Sequence, residues 1–157
     1  MAWPICSMRS AVDAASDGDT ILIMPGTYIE TSGVTVAGKG ISFVGVGLRE
    51  QVIITRENTT EPITFGNCTV NFDPGAGKTG GIYNLTIKNT GGGGGKAAGA
   101  LLIGQNTSAS GNAVNVFNCL IASNGRDAFT LYRRNAHVRD CRIENADGHA
   151  HAIFTAY

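Results

Sequence analysis

Short apolar runs separated by turn-forming residues follow one another along almost the whole chain. None is longer than about six residues, and glycine, asparagine, aspartate or proline divides nearly all of them, as is typical of β-strands joined by tight turns. The pattern predicts strands at Ile21–Met24, Thr27–Tyr28, Val34–Val36, Ile41–Val44, Val52–Thr55, Ile63–Phe65, Thr69–Phe72, Ile82–Ile87, Ala100–Ile103, Ala113–Phe117, Leu120–Ala122, Ala128–Leu131, His137–Val138, Arg142–Ile143 and Ala152–Phe154.

One helix is expected, and it precedes the first strand. Ser7 can act as its N-cap, because a hydroxyl can accept a hydrogen bond from a free N–H of the first turn. The apolar positions that follow at helical spacing are Met8, Ala11, Val12 and Ala15. A turn at Asp17-Gly18 ends this pattern, so the helix is assigned to 7–16 and the strands to 17–157.

A repeat with a period of about 22 residues lies in the last third of the chain. The segment VFNCLIASNGRDAF (116–129) aligns with VRDCRIENADGHAH (138–151), so that Cys119 falls over Cys141 and Ile121 over Ile143. The earlier segment IYNLTIKNTGG (82–92) carries the same pattern, with Leu85 in the cysteine position. The spacing from Leu85 to Cys119 is longer than the spacing between the two cysteines, and insertions near 91–99 and 105–112 can absorb the excess.

A period of this length, made of strands and turns only, predicts stacked β-coils. One such coil cannot bury its apolar face alone, whereas stacked coils share a continuous core. The sequence therefore predicts one all-β domain over residues 1–157. We expect a single-stranded parallel β-helix of about five to six coils, with the short N-terminal α-helix as its cap.

Several stretches resemble the pectinesterase and pectate-lyase-like right-handed β-helix proteins. Residues 11–28, AVDAASDGDTILIMPGTY, are similar to the start of that fold, where a short helix caps the first coil and PGTY turns a corner. NLTIKNTGG, VFNCLI and TLYRRNAHVRDCRIE are similar to later segments of the form I-T-F-x-N-T-A-G, F-Y-x-C-x-F and D-T-L-Y…R-x-F-Y-x-x-C-x-I-x. The resemblance implies a right-handed helix.

The same resemblance implies a catalytic site that this chain does not carry. The family uses a nucleophilic aspartate, a second aspartate as acid and base, glutamines and an arginine. Phe129 stands at the acid/base position, His151 at the nucleophile and Ala97 at a glutamine, while the arginine position falls after Tyr157. We therefore expect a protein that is not an enzyme and that needs no cofactor.

Two weaker groups of residues could still carry chemistry. Asp127 and Asp147 are separated by almost one coil and could form an acid pair for polysaccharide cleavage. The alternative is that both lie in solvated turns. His149 and His151, with His137, could bind a metal; exposed histidines at a subunit contact are the alternative. The GAGKTGG segment (75–81) lacks the first glycine of a phosphate-binding loop, so no nucleotide site is expected.

Composition narrows the choice of partners. Net charge is zero and only 15% of residues are charged, which argues against nucleic acid and membrane surfaces as partners. The opening residues have no continuous apolar region, so no signal peptide is expected. The four cysteines (Cys6, Cys68, Cys119 and Cys141) form no C-x-x-C pair. If Cys119 and Cys141 lie on neighbouring strands, their Cα atoms are about 4.8 Å apart, which is within the range of a disulfide. Two inward-facing free thiols are the alternative, and they fit a chain assembled in a host cytoplasm better.

The end of the sequence indicates a docking function. HAIFTAY closes on apolar residues, and Ile153, Phe154 and Tyr157 could cover the last coil by self-association, with a trimer favoured. We therefore expect a virion structural protein, a capsid decoration or spike-like protein of a bacteriophage seated on the major capsid or tail protein. The alternative is a carbohydrate-active enzyme or polysaccharide-binding module, whose groove would be lined by aromatic residues (Tyr28, Tyr83, Tyr132 and Trp3).

Overall fold

The computed structural model describes residues 7–57, 67–91, 99–104, 112–125, 127–146 and 151–156. Within these ranges it contains helix α1 (Met8–Ala14), a one-turn 3-10 helix (Arg49–Gln51) and fifteen strands. The strands are β1 (Thr20–Ile23), β2 (Gly26–Ile29), β3 (Val34–Ala37), β4 (Ser42–Gly45), β5 (Val52–Arg56), β6 (Val70–Asp73), β7 (Gly81–Tyr83), β8 (Thr86–Asn89), β9 (Leu101–Ile103), β10 (Val114–Phe117), β11 (Leu120–Ser123), β12 (Phe129–Tyr132), β13 (Ala136–Arg139), β14 (Arg142–Asn145) and β15 (Ile153–Ala156).

The strands form three parallel sheets of five strands each. Sheet A has the order β1-β4-β7-β10-β13, sheet B has β14-β11-β8-β5-β2, and sheet C has β15-β12-β9-β6-β3. Three consecutive strands therefore contribute one strand to each sheet, and every strand pairs with the third strand before or after it. We call three such strands a triplet, and the described chain contains five of them. The predicted all-β parallel fold is confirmed.

The register follows the repeat that the sequence shows. Val116 pairs with Val138 and Ile121 with Ile143, at the same offset as that between Cys119 and Cys141. Ile87 pairs with Ile121 and Leu101 with Phe129, and both of these offsets are longer. The residues by which the Ile87–Ile121 offset exceeds the Cys119–Cys141 offset are divided equally between the segments before and after β9. Most of the two predicted insertions, residues 92–98 and 105–111, lies outside the described residues.

One strand prediction is wrong. The segment Ile82–Ile87 forms two strands, β7 in sheet A and β8 in sheet B, and not one. Asn84 lies between them with φ 55°, a left-handed conformation that asparagine tolerates better than most residues. This residue turns the chain from one sheet to the next. The predicted strand Ile63–Phe65 lies outside the described residues.

Helix α1 covers the first triplet. The Ser7 hydroxyl accepts a hydrogen bond from the Arg9 N–H at 3.2 Å, so the predicted N-cap is confirmed. Met8 and Val12 are buried, and α1 packs against β3. The Lys39 ammonium group donates to the carbonyl oxygens of Val12 and Asp13, at 2.8 and 3.1 Å. A cation near the last carbonyls is favourable there, because they have no partner within the helix.

Candidate functional site

The inward-facing residues of neighbouring triplets stack in columns, and three of these columns end in apolar side chains, two of them exposed and one half-buried. Val116, Ile121 and Phe129 of the fourth triplet are almost completely buried. Their successors in the fifth triplet are Val138, Ile143 and Ile153, to which we refer as the open end. Val138 is 42% exposed, Ile153 is 51% exposed and Ile143 is half-buried. The core of the described chain is therefore uncovered at this end.

The strand edges at the open end are also unpaired. Within the described residues, β13, β14 and β15 each pair on one side only, with β10, β11 and β12. Unpaired backbone N–H and C=O groups beside apolar side chains are a template for another chain. Of the three predicted interface residues, Ile153 lies at the open end and Phe154 is part of β15. The side chain of Phe154 and the whole of Tyr157 lie outside the part that the structure describes.

Asp127 lies next to His151 and is buried, with an exposed fraction of 5%. Its carboxylate oxygen Oδ1 accepts the His151 N–H at 3.0 Å and lies 3.2 Å from the ring nitrogen Nδ1. The interpretation of Asp127 as a solvated turn residue is therefore wrong, because this contact ties it to the segment that begins β15. Asp147 lies outside the described residues, so the acid pair stays a prediction.

The two described histidines of the predicted metal site lie in or beside different sheets. His137 is on β13 of sheet A, where its Nδ1 lies 3.3 Å from the Asn115 Oδ1, whereas His151 precedes β15 of sheet C. His149 lies outside the described residues. In the part of the chain that is described, no three metal-binding side chains form a cluster.

The positions that the resemblance assigns to catalysis have other surroundings here. Phe129 is 2% exposed and belongs to an inward-facing column of sheet C, so it packs in the core. His151 is bound to Asp127, as described above. Ala97 lies outside the described residues. Lys78 of the GAGKTGG segment forms an ion pair with Asp17 at 2.8 Å and donates to the Gly38 carbonyl oxygen at 2.6 Å.

The outer face of sheet A carries an aromatic pair that the sequence did not single out as a unit. The Tyr83 ring lies directly over Gly81, so closely that a Cβ atom on Gly81 would be 2.6 Å from ring carbons. The ring centroid of Phe117 lies 5.6 Å away in an edge arrangement, and the Arg139 guanidinium lies 4.6 Å from the Phe117 centroid. Asn115 donates from Nδ2 to the Tyr83 hydroxyl at 3.3 Å.

The described tyrosines do not share one groove. Tyr28 is on β2 of sheet B, Tyr83 on β7 of sheet A and Tyr132 on β12 of sheet C. The expectation of one aromatic-lined groove that contains all three is therefore wrong. Trp3 lies outside the described residues.

Cys119 and Cys141 lie next to each other in adjacent triplets. The Cys119 N–H donates to the Cys141 sulfur at 3.4 Å, and both thiols are free. A hydrogen bond from the Cys119 thiol lowers the pKa of Cys141 to about 6. The same contact, together with burial, raises the pKa of Cys119. The Cys141 thiol also donates to the carbonyl oxygens of Val116 and Arg139, at 3.2 and 3.3 Å.

The order of ionisation within this pair follows from burial. Cys119 is completely buried and Cys141 is half-buried, so ionisation of Cys141 costs less free energy. The third described cysteine, Cys68, is completely buried, and this burial raises its pKa to about 12.

Within the described residues no helix is long and apolar enough to cross a membrane. A scan against protein-family models finds no match to this chain, and a search of curated proteins finds no significant relative.

Proposed function

We propose that the three sheets are the faces of a right-handed parallel β-helix of five coils. The strand order supports this proposal, because the chain visits sheets A, B and C in the same rotation five times. Connections between parallel strands of one sheet are right-handed in about 98% of cases, which supports the handedness. A crystal structure tests this proposal, because it shows the sense in which the chain winds from sheet A to sheet B to sheet C; a left-handed winding would contradict it.

We further propose that the protein is a non-enzymatic structural protein that self-associates through its open end. The observation that carries this proposal is the combination, in one place, of three unpaired strand edges and the uncovered core residues Val138, Ile143 and Ile153. A second copy would bury this apolar surface and pair the edges. At the opposite end α1 packs against β3, although Leu22 of β1 and Ile29 of β2 are exposed there and β1–β3 also pair on one side only.

A closed trimer is the assembly that we favour. Three copies that meet at their open ends would form a closed assembly that shields this surface from solvent, whereas stacking of the open end onto the opposite end of the next copy would form filaments. In a virion, such a trimer would be a capsid decoration or a spike seated on the major capsid or tail protein. This setting rests on an analogy: a short parallel β-fold without the family's catalytic residues and with an apolar end resembles the β-helices that bacterial viruses use as spikes or capsid decorations.

The test of self-association is the solution mass by light scattering over a hundredfold dilution, for the full chain and two variants. Ile153→Glu places a charge at the open end and should give monomers. Leu48→Glu is the matched control, because Leu48 is 64% exposed but lies beside the 3-10 helix of the second triplet. A trimer in the unmodified chain and the control supports the proposal. A monomer at every concentration, or equal effects of the two substitutions, overturns it.

The virion setting needs its own experiment. An antibody raised against the chain should label phage particles released from the host that carries this sequence, as seen by immunogold microscopy. Labelling restricted to host cells would contradict the setting and would leave the mass measurement unaffected.

One observation favours a second function, the binding of a glycan on the outer face of sheet A. A tyrosine ring that lies close over a glycine can stack on the apolar face of a sugar, and the adjacent Asn115 and His137 can hydrogen-bond to the hydroxyl groups of that sugar. Electrophoresis in gels that contain soluble polysaccharides tests this function. Tyr83→Ala should abolish retardation, and the control Tyr132→Ala on sheet C should retain it. Equal mobility in every gel excludes the function.

A further inference from the structure

The fourth and fifth triplets bring two thiols together at a place where solvent reaches one of them. Leu120 pairs with Arg142, which places Cys119 and Cys141 in adjacent register positions. Neighbouring strands lie about 4.8 Å apart, and a disulfide spans Cα atoms that are about 4.4–6.8 Å apart. The Cys119 N–H already points at the Cys141 sulfur. A disulfide therefore requires little movement of the backbone.

The surroundings of Cys141 favour its anion. Arg49 donates from Nη1 to the carbonyl oxygen of Asp140 at 3.1 Å, which holds its positive charge next to Cys141. The contact with Cys119 lowers the pKa of Cys141, and Cys141 is half-buried and not enclosed. A partly exposed thiolate near positive charge is the form of cysteine that reacts with oxidants.

We propose that Cys141 and Cys119 form a peroxide-reactive pair, in which Cys141 is the site of attack and Cys119 resolves the product as a disulfide. This pair does not depend on self-association. Its consequence is a covalent bond between the fourth and fifth triplets, which would hold the open end in place.

The reaction balances with hydrogen peroxide as the oxidant. The Cys141 thiolate attacks one peroxide oxygen, an S–O bond forms, the O–O bond breaks and hydroxide leaves to become water. Cys141 is then an uncharged sulfenic acid, so the contact that raised the pKa of Cys119 no longer opposes its ionisation. The Cys119 sulfur attacks the Cys141 sulfur, the S–O bond breaks, and the leaving hydroxide takes the Cys119 proton. Two thiols and one peroxide give one disulfide and two waters.

Cys68 provides a matched control within the same chain. It is completely buried, its pKa is raised to about 12, and the described residues place no second thiol beside it. Cys6 lies outside the described residues, so every sample carries Cys6→Ser. A protein that unfolds during the treatment would expose Cys68, so reaction of Cys68 identifies that artefact.

The experiment treats the native protein with hydrogen peroxide, alkylates the remaining thiols in denaturant and maps the peptides by mass spectrometry. We expect a Cys119–Cys141 link with the loss of two hydrogens and a fully alkylated Cys68. In Cys119→Ser, we expect a sulfenic acid at Cys141 that dimedone traps. In Cys141→Ser, we expect Cys119 to remain reduced.

A second arm separates this inference from the proposed self-association. If self-association slows the access of peroxide to Cys141, the link should form faster in Ile153→Glu than in the unmodified chain, and the pair is supported in both proteins. Free thiols at both positions in both proteins overturn it. So does oxidation of Cys141 to sulfinic acid without a link, because Cys119 would then not resolve the intermediate.

Discussion

The side chains of Asn84 and Asn118 are joined by a hydrogen bond between neighbouring triplets, from Nδ2 of Asn118 to Oδ1 of Asn84 at 2.8 Å. Both residues have a left-handed backbone, with φ 55° and 52°, and Asp140 follows in the next triplet with φ 56°. The three residues lie where the chain passes from sheet A to sheet B. Side-chain bonds at this corner compensate for backbone conformations that are otherwise unfavourable.

Replacing Asn84 by alanine should destabilise the protein by about 2–4 kcal/mol. Its Nδ2 also donates to the carbonyl oxygens of Gly45 and Gly47, at 2.8 and 2.6 Å, so the substitution removes three hydrogen bonds and leaves a left-handed alanine. Urea denaturation measures the loss. The control Asn115→Ala, on the outer face of sheet A, should cost less than about 1 kcal/mol. Equal losses of unfolding free energy in Asn84→Ala and Asn115→Ala would show that the hydrogen bonds and the left-handed backbone of Asn84 add no extra stability.

The parallel pairing of successive triplets could be predicted from the sequence, but the turn at Asn84 was not predicted. The repeat aligned Val116 with Val138, and the structure pairs them. The apolar residues of Ile82–Ile87 gave no sign of a break, because the turn depends on the backbone angle of Asn84 and not on hydrophobicity. A usable signal was present, since an asparagine or aspartate precedes Leu85, Cys119 and Cys141 in all three repeats.

The side-chain pairs of the candidate site were harder to predict. The repeat predicts that Asp127 pairs with Asp147, because the two are separated by almost one repeat. The described partner of Asp127 is instead His151, 24 residues away. Asp73 and Arg134 are 61 residues apart, a separation that no simple repeat predicts, because both insertions lie between them. Side-chain pairing between triplets depends on loop lengths that a repeat pattern does not contain.

Removing Asp73 should be strongly destabilising. Arg134 donates from Nη2 to the Asp73 Oδ1 at 2.5 Å, and its side chain is only 2% exposed. In Asp73→Ala the guanidinium would remain buried without its counter-ion, which typically costs about 3–5 kcal/mol.

The double variant Asp73→Leu with Arg134→Met should recover most of the Asp73→Ala loss, because it removes both charges. The surface pair of Arg142 and Glu144 is the control, and Glu144→Gln should change the unfolding free energy by less than about 1 kcal/mol. Thermal denaturation of the four proteins compares them. A double variant as unstable as Asp73→Ala would show that packing, and not charge, dominates.

Gly104 should tolerate no side chain. Its φ is +90°, and a Cβ atom would overlap the Tyr132 carbonyl oxygen and lie 2.7 Å from Cγ of Arg134. The control Gly77→Ala shares a positive φ, +71°, but meets nothing within 4 Å, so it isolates the backbone cost of about 1–2 kcal/mol. We expect Gly104→Ala to lose clearly more stability in urea denaturation. Similar losses would show that the backbone near Gly104 moves aside freely.

The reactivity of Cys141 should depend on pH with a midpoint near its lowered pKa of about 6. Only the thiolate reacts with iodoacetamide, so the labelling rate should rise as the pH increases through this value and level off above it. Arg49 is the charged group that acts on this thiol, Cys119 is its thiol partner, and the charged residues closest to it along the chain form the exposed ion pairs Arg139–Asp140 and Arg142–Glu144.

Removing Cys119 should shift this midpoint upward. The hydrogen bond from the Cys119 thiol is the largest cause of the lowered pKa, so in Cys119→Ala the midpoint should move toward the ordinary value of about 8.5. Cys68→Ala, which removes a distant buried thiol, should leave it unchanged. The rates are measured on Cys6→Ser protein by peptide mass spectrometry between pH 5 and pH 9. An unshifted midpoint in Cys119→Ala would assign the low pKa of Cys141 to Arg49 and the backbone. A midpoint near 8.5 in every protein would show that Cys141 ionises as an ordinary thiol, which contradicts the prediction.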